Sequence, residues 1–301
     1  MSKKIKFSPK GFLDFFGKTI FDIANSQNHT LDLNGYVYKS EKIPEEFDGF
    51  RIIHLSDMHN CVYGNEADEL IRIVKRNNPD VIVITGDSFD SRRRQYFDSL
   101  DIIRKLAEIG KVLYVTGNHE ELSPDLKDIF INEIKNYDVQ ILDCKSVEFC
   151  RGESSIFING IADFTSFAVG YGLLEKALAK NLDCDDLNLL KESFREKLEK
   201  FSQTKSENFN ILLSHRPEMF DAYAENGYDL VFCGHAHGGQ FRIPPIGPIY
   251  SPGQGFLPEF SEGPHTKENT TMIVSRGLGN SSFPLRINNH PQVLVTELRR
   301  K

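Results

Sequence analysis

FRIIHLSDMHN at 50–60, NPDVIVITGDSFD at 78–90 and GKVLYVTGNHE at 110–120 share one plan. In each, a short β-branched or apolar run ends in a cluster of polar residues. Stretches with helical periodicity, Glu66 to Arg76 and Tyr96 to Ile109, separate the three. Runs of this length and composition predict strands, so the order reads β-α-β-α-β. Strands alternating with helices imply a layered α/β sheet. The polar clusters fall just past the C-terminal ends of the strands, where such sheets place their ligands.

Working outward, SIFINGIADF (155–164), NILLSH (210–215) and DLVFCGHAH (229–237) read as further strands, the last two ending in histidines. Residues 173–201 are charged and helical in pattern, and fit either a packing helix pair or a lid. Residues 240–270 hold much of the proline and glycine and are expected to form a long irregular loop on the rim of a site. Residues 31–301 are expected to form one domain with a helical insertion at 165–207. Residues 1–30 form an appendage in which Phe12, Phe15, Phe16, Ile20 and Ile23 recur at helical spacing among lysines. The expectation is a helix packed on the domain. The alternative is an anchor lying on anionic lipid, against which Asp14 and Asp22 count.

Composition narrows the class. A chain of 301 residues, 40% hydrophobic, can bury one large core. A formal net charge of −7 argues against broad attraction to nucleic acid, and no specific nucleic-acid partner is expected. The five cysteines include no C-x-x-C pair, and an odd number suits a reducing compartment. No apolar run approaches the ~20 residues that span a bilayer, and the N-terminus has no uninterrupted signal-type apolar segment. A cytoplasmic protein is expected, with at most weak peripheral contact with the inner face of the membrane through its N-terminus.

Five clusters share a chemical theme: Asp57-x-His59, Gly86-Asp87-x-x-Asp90, Gly117-Asn118-His119-Glu120, His215, and Gly234-His235-x-His237. They offer carboxylate, amide and imidazole donors, a mixed oxygen and nitrogen set that suits manganese, iron or zinc. If each pair lies in extended backbone, Asp57 and His59 point the same way while Met58 turns inward, and His235 and His237 do likewise around Ala236. The glycines are expected to let the chain turn sharply at each strand end. His54, inside a strand run, is read as structural, as are His29, His265 and His290. Arg92, Arg93, Arg94 and Arg216 follow the clusters and are kept out of the site, the triple run being read as solvated.

With these motifs in order, the sequence resembles the calcineurin-like metallophosphoesterases, whose pattern is D-x-H, G-D-x-x-D, G-N-H-[DE], H and G-H-x-H. The likeness covers about residues 50 to 298. GHAHGGQFRIP at 234–244 and SRGLG at 275–279 look like the YkuE-like bacterial branch. The resemblance implies a four-layer α/β/β/α sandwich of two mixed sheets flanked by helices. It also implies two divalent metal ions, one held by Asp57, His59, Asp87 and His237, the other by Asp87, Asn118, His215 and His235. Asp87 would bridge them, and a hydroxide between the ions would attack a phosphate monoester or diester. His119 would be the general acid or a transition-state stabiliser, oriented by Asp90. A metallo-β-lactamase-type hydrolase is disfavoured, since that class expects H-x-H-x-D-H after an early strand. A non-catalytic scaffold on the same fold is the other alternative.

Overall fold

The computed structural model describes residues 27–280 and 284–301. Strands β2 (Arg51–Leu55), β3 (Val81–Ile84) and β4 (Val112–Tyr114) are buried at every position but Arg51. Burial on both faces is what selects continuous apolar runs over alternating ones. Ile52, Val81, Val83 and Leu113 point into one core, while Ile53, Leu55, Ile82 and Ile84 point into another. That second core is closed by Leu70 and Val74 of helix Asp68–Arg76, Ile102 and Leu106 of helix Phe97–Ala107, and Phe130 and Ile134 of helix Pro124–Lys135.

The first sheet runs β1-β16-β2-β3-β4-β5, with β1 at Asp32–Ser40, β5 at Gln140–Ile141 and β16 at Gln292–Arg300. The last strand lies between the first two, parallel to β1 and antiparallel to β2. The second sheet contains β6 (Lys145–Arg151), β7 (Ser154–Gly160), β8 (Phe209–Leu213) and β9 (Leu230–Cys233). Ile211, Leu213, Leu230 and Phe232 meet the first sheet in the shared core. Leu212, Val231 and Cys233 face away, against Leu190, Phe194 and Leu198 of helix Cys184–Ser202. Three cores thus separate four layers, the expected α/β/β/α sandwich. Helix Cys184–Ser202, from the stretch read as packing pair or lid, lies with its apolar stripe buried in the outermost core.

Residues 240–270 depart from the irregular loop expected of them. Two small antiparallel pairs form there, β10 (Arg242–Ile243) with β11 (Gly247–Pro248) and β12 (Tyr250–Ser251) with β13 (Gly255–Phe256). Then β14 (Gly263–Lys267) joins β15 (Thr270–Val274) at the edge of the second sheet, giving it the order β14-β15-β9-β8-β7-β6. Proline and glycine mark turns, and two-residue strands leave little else to read. The helix expected over residues 10–24 falls outside the described residues. No helix among the described residues is long and apolar enough to cross a membrane.

Candidate metal centre

The loop after β2 is held on both sides by backbone hydrogen bonds. Asp57, His59 and Asn60 donate to the carbonyls of Gly86, Asp87 and Ser88 at 2.9, 3.0 and 2.9 Å. On its other side, Leu278 and Gly279 donate to the carbonyls of Ser56 and Asp57 at 2.9 and 2.6 Å. The clusters at 57–59, 86–90 and 277–279 are therefore fixed to one another before any side chain is considered.

The side-chain directions arise differently from the extended pairing expected. Asp57 and His59 have φ of 50° and 43°, Asp87 53°, and His235 and His237 63° and 47°. Left-handed backbone at a non-glycine residue costs about 1 kcal/mol or more, and such strain clusters at functional sites. Met58 is nonetheless fully buried, as alternation around it required. Of the three glycines, only Gly86 has positive φ, 89°. Gly117 and Gly234 serve close approach instead: a Cβ on Gly234 would run into Ser56 Oγ and the Asp57 carboxylate, and one on Gly117 into the Asp87 side chain and backbone.

Three groups of ligand atoms converge, each within 4.8 Å: Asp57, His59 and His237; Asp87, His215 and His235; and His59, Asp90 and His119. Asp87 links them. Its Oδ1 accepts the His119 backbone N–H at 2.8 Å, leaving Oδ2 at 3.3 Å from His215 Nε2 and 3.8 Å from His59 Nε2. His237 Nε2 is 3.5 Å from Asp57 Oδ1 and 3.4 Å from His59 Nε2. His215 Nδ1 lies 2.6 Å from the Thr85 carbonyl, which requires the proton there and leaves Nε2 aimed at Asp87. Asn118 Oδ1 and His59 Nδ1 are buried without a hydrogen-bond partner. Buried polar atoms are seldom left so, and an orphaned amide oxygen beside converging imidazoles fits a divalent cation of the manganese, iron or zinc kind.

Charge follows geometry. Burial, then the neighbouring charge of Arg216, push His235 well below the ordinary imidazole value. Burial likewise lowers His237 to about 4, against the pull of Asp57. For His215 burial works downward too, but the carboxylate of Asp87 outweighs it and holds the ring up to about 10. Burial opposes ionisation of Asp87, yet the charge and hydrogen bond of His215 hold it well below the carboxylate range. His54 is buried against Thr85 and Phe232, and burial drops it to about 3. It belongs to none of the three groups, and neither do His29, His265 or His290.

Ser91, which the motifs do not name, acts here through its backbone. His119 Nδ1 accepts a hydrogen bond from the Ser91 backbone N–H at 3.0 Å, so in the neutral ring the proton sits on Nε2. Asp90 stands 3.6 Å from the same Nδ1, with both its oxygens also engaged by Arg92. Burial raises the Asp90 carboxyl, but the Arg92 hydrogen bonds win and set it at about 2. Glu120 is fully buried and accepts the backbone N–H groups of Asp87, Ser88 and Gly117 at 2.9, 2.7 and 2.8 Å, joining two strand-end loops. Burial and the charge of Asp87 raise its carboxyl to about 7 against those donors.

Arg216, left outside the site by its sequence, is buried in its wall. It lies over the Phe164 ring, donates to Asp163 Oδ2 at 2.5 Å and to His235 Nε2 at 2.7 Å. The local signal was faint: an arginine between His215 and Pro217 reads as surface until Asp163, far away in sequence, is known to face it. Arg286 is equally hidden, donating to the carbonyls of Arg276 and Gly279 with Nη2 3.5 Å from His237 Nδ1.

Residues 50–239 match the family model for calcineurin-like phosphoesterases. The chain is 30% identical over 279 residues to YkuE of Bacillus subtilis, an uncharacterised metallophosphoesterase, covering 90% of this chain and 86% of that one. It is 24% identical over 253 residues to the phosphodiesterase YaeI of Escherichia coli, covering 83% and 82%. Among solved structures, it is similar to the phosphopantetheinyl hydrolase PptH of Mycobacterium tuberculosis, with a TM-score of 0.46 and 10% identity over 76% of this chain and 89% of that one. A match across the segment that holds the seven candidate ligands, together with a relative at 30% identity along most of both chains, places the molecule: it belongs to the calcineurin-like phosphoesterases and is a metal-dependent hydrolase of phosphate esters.

Proposed function

We propose that the chain hydrolyses a phosphomonoester or phosphodiester at two divalent cations, one held by Asp57, His59, Asp87 and His237 and the other by Asp87, Asn118, His215 and His235. The observation that carries this reading is the position of Asp87 Oδ2, which faces His59 and His215 at once while Oδ1 is tied to backbone. When bound, such a pair of cations lowers the pKa of a shared water and draws negative charge from the phosphate.

The chain's own groups do the rest. Burial keeps His59 and His237 neutral, so each retains a ring lone pair for binding. Glu120 and the strained loops fix the carboxylates before substrate arrives. His119 holds its proton on Nε2, 3.9 Å from Asp87 Oδ2, at the edge of the cluster where a leaving oxygen would depart. Ser91 sets that tautomer, and Asp90 supplies negative charge behind the ring. Diesters are included because the relative YaeI carries the name phosphodiesterase.

The test is metal content and turnover of bis-p-nitrophenyl phosphate and p-nitrophenyl phosphate with manganese. Two ions per chain are expected, and Asp87→Asn should weaken binding of both and lower turnover by about two orders of magnitude or more. One ion per chain at full activity, or an active Asp87→Asn enzyme, would sink the reading.

A further inference from the structure

Two guanidiniums stand behind the candidate ligands, and they are compensated differently. Arg216, beside His235, faces carboxylates: Asp163 through Nε, and Glu218 Oε1 at 3.3 Å from Nη1. Arg286, beside His237, is fully buried and makes no ion pair among the described residues. Its donors end on neutral oxygens: Nε on Asn280 Oδ1 at 2.9 Å, Nη1 on the Arg276 carbonyl at 2.8 Å, and Nη2 on that of Gly279 at 2.6 Å. The carboxylate whose charge bears most on it is that of Asp57, a candidate ligand. Burying a charge without a paired partner is costly. A neutral amide could tie down the same carbonyls without that cost, so tying them down does not account for the charge.

Orientation gives the charge its effect. His237 turns Nε2 toward the cluster, 3.5 Å from Asp57 Oδ1 and 3.4 Å from His59 Nε2, and Nδ1 toward Arg286 Nη2, 3.5 Å away. A histidine that binds an ion through one nitrogen ordinarily donates its other N–H to an acceptor, which makes it the better ligand. His215 does so with the Thr85 carbonyl. His237 meets a donor instead: once Nε2 is committed to an ion, the proton of the neutral ring sits on Nδ1 and points at a guanidinium. The two ligand sets proposed above differ by one carboxylate, Asp57 in the first where Asn118 stands in the second. We infer that Arg286 is a positioning residue whose charge offsets that of Asp57, weakening the hold of Asp57, His59, Asp87 and His237 on their cation. In metal-stripped protein the same guanidinium answers the charge of Asp57. The inference rests on the ligand set proposed above and adds what limits its affinity.

The sign of the effect separates charge from scaffold. Cutting a staple loosens the 276–280 segment, whose Leu278 and Gly279 N–H groups hold the Asp57 loop, and metal binding weakens. Removing a repelling charge tightens it. Calorimetric titration of manganese into metal-stripped His235→Ala protein reads the Asp57 site, since the other set has lost a ligand. Adding Arg286→Gln, which keeps an amide donor and loses the charge, should lower Kd about tenfold or more, a modest share of what a unit charge exerts on a divalent ion inside a protein. Arg286→Lys keeps the charge and should leave Kd near that of the arginine form. With His235 intact, manganese should raise the melting temperature further in Arg286→Gln than in the parent, because tighter binding to the native state stabilises it more. That holds even for a stripped variant that folds only on loading. Equal or weaker binding by the glutamine variant, weakening by glutamine and lysine alike, or a glutamine variant that stays unfolded with manganese overturns the inference and leaves Arg286 a structural staple. Absence of any manganese binding to His235→Ala protein with Arg286 in place overturns instead the ligand set at Asp57, and the inference with it.

Discussion

Arg216→Met removes a guanidinium that three partners share. The arginine is buried, as is Asp163, and the pair is joined at 2.5 Å through Nε. Breaking a buried pair from one side costs about 3–5 kcal/mol, because the other charge is stranded. Asp163 would keep the Thr165 N–H at 2.8 Å and the Thr165 hydroxyl at 2.7 Å, but Glu218 Oε1, 3.3 Å from the guanidinium, would lose that partner too, so the loss stays within about 3–5 kcal/mol. Methionine retains an apolar stem against Phe164. Urea unfolding of metal-stripped protein should show the loss as a lower midpoint at unchanged slope. Adding Asp163→Asn should restore part of it, with a coupling energy of about 1–3 kcal/mol in the double-mutant cycle. A second readout separates scaffold from site: Arg216 donates to His235 Nε2 at 2.7 Å and, with burial, holds that ring's pKa down, so its removal should raise that pKa and make metal binding more sensitive to acid. A stability loss below about 1 kcal/mol, or strictly additive effects, would refute the account of Arg216 as a buried brace.

His119→Ala should leave metal content nearly intact but lower kcat roughly a hundredfold on esters with poor leaving groups; the deficit should shrink for p-nitrophenolate, and an equal loss on both would count against proton donation. In metal-stripped protein His215 keeps its proton up to about pH 10 rather than 6.5. Its contribution to stability is then complete below pH 6.5 and lost as the pH rises through 10. Denaturation midpoints of stripped protein should fall across that window, and metal loading at pH 8 should release a proton detectable by calorimetry in buffers of different ionisation enthalpy. A flat stability profile would contradict this reading of the His215–Asp87 contact. Gly234→Ala drives a methyl into Ser56 and Asp57; the expected outcome is a folded protein with weakened metal binding, checked by metal analysis beside circular dichroism.

The strands that lead into the candidate ligands were legible because each is buried on both faces and so written as an unbroken apolar run. Their polar ends were legible for the same reason: nothing else interrupts the pattern. What lay hidden is non-local. Strand β1 alternates between half-buried and exposed residues, and its partner lies some 260 residues away, so nothing near it announces a sheet. The D-x-H and H-x-H pairs converge, but not through the extended backbone expected of them, since left-handed φ at aspartate and histidine follows from packing against neighbouring loops. Arg216 and Ser91 escaped because one acts through a distant aspartate and the other through its backbone, which a side-chain motif does not encode.

The place of β16 between β1 and β2 has a temporal consequence. During synthesis the first sheet lacks a central member until residues 292–300 are made, and β1 has nothing to pair with until then. The N–H groups of Leu278 and Gly279, which cap the Asp57 loop, also come late, after all seven candidate ligands have been translated. A nascent chain stopped before residue 275 would carry the complete ligand set without the backbone that holds it in place. Pairings this distant in sequence close slowly. In this fold the segment 275–300, which supplies none of the candidate ligands, therefore closes their loop only after all seven have been made.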